Sequence, residues 1–152
     1  SASAHIMALH LDVATGNDVS GSGTGSDGII LGDLAGFYYG LCPSGSSQFY
    51  SAITGAIGIG LMSATSTSAR AAYRRKTAGF TTIGSNTILD AAALLNSSVG
   101  YMAQNIGGAA SNFVDGRLGV YGHGLGLTQT QATNYTLVLK TLWENCTSLT
   151  LP

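Results

Sequence analysis

The stretch Asp115-Gly-Arg-Leu-Gly-Val-Tyr-Gly-His-Gly-Leu-Gly-Leu-Thr-Gln-Thr-Gln131 decides the fold. Its first ten residues read as a strand. Leu125 to Gln131 then opens a helix, with Thr128 as N-cap and Gln131 three residues on. That spacing is a capping box, in which the Thr hydroxyl accepts from a first-turn N–H and the Gln side chain reaches back. Leu127, just before the cap, is placed to staple against Ala132. Beyond the cap, Ala132, Tyr135, Val138, Leu139, Leu142, Trp143 and Cys146 recur in steps of three and four. They predict one apolar stripe on a helix over residues 128–147, with Thr133, Asn134, Thr136, Lys140, Thr141 and Glu144 mostly opposite. His123, between two glycines at the strand end, reads as a turn residue and not as a ligand contact.

Working outward, the chain is a run of strand-like segments. Met7, Leu9, Leu11 and Val13 alternate with Ala8, His10 and Asp12, as on a half-buried strand, which turns His10 outward. Residues 15–28 are mostly Gly, Ser, Thr, Asn and Asp and predict a long surface loop. Asp18 and Asp27 could offer oxygens to calcium, but their spacing matches no calcium loop. Residues 28–33, 56–63, 69–76, 80–83 and 99–105 read as strands, and 106–111 as a loop. Residues 88–96 suit a short helix and a strand with loop equally. Short strands at regular spacing, closed by one helix, imply a single mainly β domain over 1–152: a two-sheet antiparallel sandwich with a C-terminal α-helix packed on it. Ser1 to Ala4 reads as a tag or processed end.

Composition narrows the function. The chain has 152 residues, 22 of them Gly, and only 9% charged, against the roughly 25% usual for soluble domains. A net charge of −1 gives no broad attraction for nucleic acid. The one basic cluster, Arg70, Arg74, Arg75 and Lys76, reads as a solvated strand face or a subunit contact. No apolar run approaches the roughly 18 residues of a membrane span. Cys42 and Cys146 fit no metal motif; they stand equally well as a disulfide or as two thiols, and Cys146 reads as a small core residue.

The elements of catalysis are missing. Glycoside hydrolysis needs two carboxylates flanking the scissile bond. Glu144 is the only Glu, and the six Asp residues are scattered with no two of them two apart. No nucleophile elbow, phosphate loop or zinc spacing is present, so no enzyme activity, cofactor or metal is expected. Tyr38, Tyr39 and Tyr50 lie among Gly and Ser turns, where aromatic rings can stack on the C–H face of a sugar. Asn105 could bond its hydroxyls.

Two segments carry a family resemblance. Residues 60–76, Gly-Leu-Met-Ser-Ala-Thr-Ser-Thr-Ser-Ala-Arg-Ala-Ala-Tyr-Arg-Arg-Lys, resemble the strand, Ser/Thr-rich stretch, aromatic and Arg of concanavalin-like (laminin-G-like) sandwiches in phage and bacterial surface proteins. Tyr101-Met-Ala-Gln-Asn-Ile-Gly-Gly, followed by the 115–128 stretch, is similar to that family's end. The resemblance covers about Gly55 to Leu149; many members have Ser and Ile where this chain has Gly122 and His123. It implies a jelly-roll-like winding and a non-enzymatic module on a virion or extracellular surface, of tail-fibre or adhesin type. Its expected partners are a cell-surface glycan or receptor, further copies of itself and other virion proteins. The alternative is a structural capsid-decorating or fibre-building protein without a ligand. A glycan-degrading enzyme ranks third.

Overall fold

The computed structural model describes residues 3–13, 18–24, 27–34, 37–41, 49–51, 57–66, 68–87, 104–106, 109–111 and 116–151. The strands are β1 (Ala4–Val13), β2 (Asp18–Thr24), β3 (Asp27–Leu34), β4 (Phe37–Leu41), β5 (Phe49–Ser51), β6 (Gly58–Ser66), β7 (Ala69–Lys76), β8 (Gly79–Asn86), β9 (Gln104–Ile106), β10 (Ala109–Ser111) and β11 (Gly116–Gly124). They precede one helix, α1 (Gln129–Thr147). The molecule is mainly β with a C-terminal helix, as the strand pattern predicted.

The first sheet is antiparallel throughout and runs β11-β1-β6-β7-β8. Met7 sits opposite Leu61, and Leu61 opposite Tyr73. Alternation then collects Met7, Leu9, Ile59, Leu61 and Tyr73 on one face. Helix α1 covers that face with Ala132, and Tyr135, Leu139 and Trp143 pack at its margin. Each large aliphatic side chain buried there contributes on the order of 1.5–3 kcal/mol. The other face is closed as well: Ile6, Ala8, Met62, Ala64 and Ala72 are all buried. A second set of strands, ordered β10-β9-β2-β3-β4-β5, supplies β3, which lies beside β1 and β6.

Double coverage corrects the reading of β1. Ala8 and His10 do not face outward; both are buried as fully as Leu9. Alternation in sequence shows two faces, but not that both are covered. The basic cluster is corrected for the same reason. Arg70 and Arg75 are buried, while Arg74 and Lys76 are half-buried. Residues 18–24 are no loop but a strand, antiparallel to β3 and parallel to β9. Gln104–Ile106 and Ala109–Ser111 likewise form the β9–β10 pair. Backbone ladder bonds outweigh the poor strand propensity of Gly and Ser there. His123 is a strand residue opposite Ile6, not a turn. Cys42, residues 88–96 and residues 99–103 lie outside the described residues.

The capping box forms as read. Thr128 Oγ1 accepts from the Gln131 N–H at 3.3 Å, and the Gln131 carboxamide accepts from the Thr128 N–H at 2.9 Å. Leu127 packs against the core cluster that holds Ala132. The stripe behind it is narrower than its sequence. Thr136 is buried, whereas Val138, Leu142 and Cys146 are exposed, Cys146 as a free thiol. A helix on a sheet touches along a seam, here Ala132, Thr136, Leu139 and Trp143, which is thinner than the apolar arc.

Two glycines let the layers meet. At Gly119 on β11, a methyl group would stand 2.8 Å from the Trp143 ring and 2.9 Å from Leu9, so glycine makes the seat for the only Trp. Gly58, at φ +120°, holds a backbone that L side chains rarely adopt, and a methyl there would press on the Arg75 carbonyl at 2.6 Å.

Candidate functional site

The junction between β11 and α1 creates a cavity. Ser63 on β6 holds the linker at both polar groups of one residue: its hydroxyl donates to the Leu127 carbonyl at 2.8 Å and accepts from the Leu127 N–H at 2.6 Å. Ser3 accepts from the Gly126 N–H at 3.0 Å. His5 Nδ1–H donates to the Leu125 carbonyl at 2.6 Å, which leaves Nε2 as the unprotonated ring nitrogen. These bonds fix the start of α1 above β6 and β7, leaving an opening of about 300 Å³ between the helix cap and the strands.

The walls of that opening are mainly apolar, with several uncharged polar side chains and no carboxylate among the described residues. Thr65, Ser85, Thr87 and Gln129 line it, with Tyr73 and Leu127 as apolar surface. Among the described residues Arg70 is the one charged residue along it. Strand alternation assigns Arg70 to the face opposite Ala71 and Tyr73, away from the helix. Tyr73 is only 5% exposed, and its ring stacks on Phe80 at 5.3 Å between centroids. Its hydroxyl bonds to no described residue. Burial pushes its pKa above the ordinary tyrosine value, so it stays protonated and able both to donate and to accept. In the sequence Tyr73 is the aromatic of the 60–76 segment and carries no sign of a binding role, because a lone aromatic in a basic strand gives none until the helix closes over it.

A second opening, also about 300 Å³, lies at the turn between β7 and β8, against Arg74, Lys76 and Phe80. Burial, and then the charge of Arg74, lower the Lys76 pKa. On the helix side of the same strand, Arg75 is tied down. It donates from Nε to Thr136 Oγ1 and from a terminal nitrogen to the Thr133 carbonyl, both at 2.9 Å, and lies 5.2 Å over the Phe80 ring.

The tyrosines singled out in the sequence fall in the second sheet. Tyr39 and Tyr50 are direct partners across β4 and β5, and Tyr38 pairs with Ser51. Adjacent residues 38 and 39 therefore occupy opposite faces. Asn105, on β9, pairs with Ser22 and Ala110. Strands β2 and β3 separate β9 from β4, a span of roughly 14 Å. The side chains of all four lie outside the described residues. Asp18 and Asp27 begin β2 and β3 at opposite ends of their hairpin, opposite Asp33 and Thr24 respectively, so the fold does not gather them into one calcium site.

Among the described residues, no three His, Cys, Asp or Glu side chains group as a metal site, and no helix is long and apolar enough to cross a membrane. No protein-family model, curated protein or solved structure matches the chain.

Proposed function

We propose that this domain is a non-enzymatic binding module that recognises a glycan or receptor on a virion or extracellular surface. The observation that carries the reading is the cavity at the head of α1. Hydroxyl and amide side chains stand along its apolar lining, it has an aromatic wall, and the Tyr73 hydroxyl bonds to no described residue. Such a site suits a neutral polyhydroxylated ligand, whose hydroxyls exchange hydrogen bonds while its C–H face lies on apolar surface. The resemblance of residues 60–76 and 115–128 to concanavalin-like sandwiches supports the same reading. So does the contact of β3 with β1 and β6, which fits two sheets stacked face to face. In that arrangement the chain passes between the sheets at β1–β2, β5–β6, β8–β9 and β10–β11, the basis for a jelly-roll-like winding.

The test is glycan binding by the purified domain, measured on a broad array and then by calorimetry. Tyr73→Phe removes one hydroxyl and keeps the ring, so affinity for the best neutral oligosaccharide should fall about 5- to 30-fold, the range for one lost hydrogen bond of 1–2 kcal/mol. Replacing Tyr38 and Tyr39 by Ala tests the stacking surface in the same assay. Unchanged affinity in Tyr73→Phe would remove the cavity from the reading, and absence of any glycan binding would remove the reading itself.

A second function, a fibre-building or capsid-decorating subunit, is favoured by a separate observation. Val138 and Leu142, one turn apart on α1, are exposed, as are Leu137 and Leu149. Asn134, Thr141, Asn145 and Cys146 complete an uncharged surface that would place no like charges opposite one another between copies.

A further inference from the structure

From the junction of β11 and α1 we infer an acid-sensitive latch: protonation of His5 at Nε2 frees the linker of residues 125–127, and with it a ligand held in the cavity at the head of α1. The inference rests on the glycan reading above. His5 and Ser63 are cross-strand partners on β1 and β6, on the helix face with Met7 and Leu61. With Ser3 they hold three successive linker residues. His5 takes the Leu125 carbonyl, Ser3 the Gly126 N–H, and Ser63 both polar groups of Leu127. The linker lies directly on β6, since a methyl group at Gly126 would collide with the Ala64 carbonyl. A segment packed that closely is either seated or lifted, with little between. Leu127, Thr128 and Gln129 form the helix side of the cavity, with Ser63, Ala71 and Tyr73 on the strand side. Lifting the linker therefore removes a wall.

Of the three clamps, only His5 can change its proton count near neutral pH. As a neutral imidazole it fits. Nδ1–H is used on Leu125, and Nε2 is buried with no hydrogen-bond partner among the described residues. A second proton would set an N–H and a positive charge at Nε2 without an acceptor. The surroundings offer no compensation. Across the sheet stand Ser63 on β6 and Gly124 on β11. Helix α1 presents the Tyr135 ring edge-on, and His123 on β11 adds like charge. No carboxylate among the described residues acts on the ring. Burial accordingly lowers its pKa below 6.5, and the Leu125 bond opposes that only in part. The charged ring gains by reaching water, and it gets there by giving up Leu125 and Tyr135. Proton and ligand thus compete: acid weakens the ligand, and by reciprocity the ligand lowers the His5 pKa further.

The experiment follows the domain from pH 7.5 to 4.5. Without ligand, NMR should show the Gly126 and Leu127 amides losing about tenfold or more of their protection from hydrogen exchange as the His5 Cε1–H resonance titrates. The amides of Leu9 and Leu61, inside β1 and β6, should keep theirs. In calorimetry, wild-type affinity for the best neutral oligosaccharide should fall by a similar factor over the same range. His5→Asn sets an amide N–H that does not titrate near the place of Nδ1. It should bind like the wild type at pH 7.5 and lose less than about twofold at pH 4.5. Should His5→Asn unfold, the wild-type exchange measurement decides alone. Gly126 and Leu127 protection that stays constant as His5 titrates, or an affinity loss that survives in His5→Asn, overturns the latch and leaves the glycan reading in place. Loss of that protection in a domain that binds no glycan at any pH would support the latch on the linker and remove the glycan reading.

Discussion

His5 shows how a single residue couples the two termini of the first sheet. It lies on β1, is 8% exposed, and holds the Leu125 carbonyl through Nδ1–H. Its ring meets Tyr135 edge-on at 5.6 Å between centroids, and a methyl group at Gly124 would stand 3.0 Å from it. Nε2 is buried with no hydrogen-bond partner among the described residues. Protonation would put charge there, so burial, together with the nearby charge of His123, lowers the pKa below 6.5 despite the Leu125 bond, which acts in the opposite sense. The sign follows. Below pH 6.5 the unfolded chain takes up a proton that the folded chain refuses, so the stabilisation is present above pH 6.5 and is lost as pH falls through the folded pKa. One such group limits the slope to about 1.4 kcal/mol per pH unit. Urea unfolding at pH 7.5 and 5.5 should show a larger loss for the wild type than for His5→Gln. Parallel losses would assign the effect to another residue.

At the scale of the element, α1 is joined to the sheet by polar contacts as much as by its apolar seam. Thr136 is wholly buried, donates to the Ala132 carbonyl and accepts from Arg75 Nε. Thr136→Val keeps the shape but leaves a buried guanidinium nitrogen without that acceptor. The expected cost is about 1–3 kcal/mol, read as a lower urea midpoint with an unchanged slope, while Thr136→Ser should recover most of it. A loss below about 0.5 kcal/mol would mean that the Thr133 carbonyl alone satisfies Arg75. The helix also shows what a sequence carries and what it omits. Its cap was legible because a capping box is made within four consecutive residues. Its buried seam was legible at Ala132, Leu139 and Trp143 but not at Thr136, because the choice between Thr136 and Val138 depends on how the helix rolls against β6, β7 and β11. The same holds for β2, whose Gly and Ser residues resemble a loop until β3 and β9 supply its ladder. Of the residues proposed for binding, Tyr39 and Tyr50 stand as partners on β4 and β5, whereas the opening at Tyr73 exists only once α1 closes over β7.

For the whole molecule, the open edge of the first sheet and the exposed flank of α1 meet on one side. Strand β11 is an edge strand. Tyr135 stands over it near Gly122, and Val138 and Leu142 follow on the Tyr135 side of the helix. Tyr121 and Leu125 are exposed along the same strand and its exit. A strand that ends the described sheet, beside an uncharged apolar helix flank, is a surface on which a second copy could add its own β11. Sedimentation velocity should show concentration-dependent association that Val138→Lys with Leu142→Lys abolishes without changing the circular dichroism. A domain that stays monomeric at every concentration would exclude the fibre-building reading through this face.

The placement of β1 has a consequence for how the chain reaches this state. It leaves the ribosome before the strands it pairs with and ends between β6 and β11, which lie some fifty and one hundred residues behind it. Its apolar residues must therefore wait for about a hundred further residues to be made before both flanks are occupied. At the roughly 5–20 residues per second of translation, that exposure lasts several seconds or more. The last strand and the helix that seats on it release the nascent chain from that hazard together.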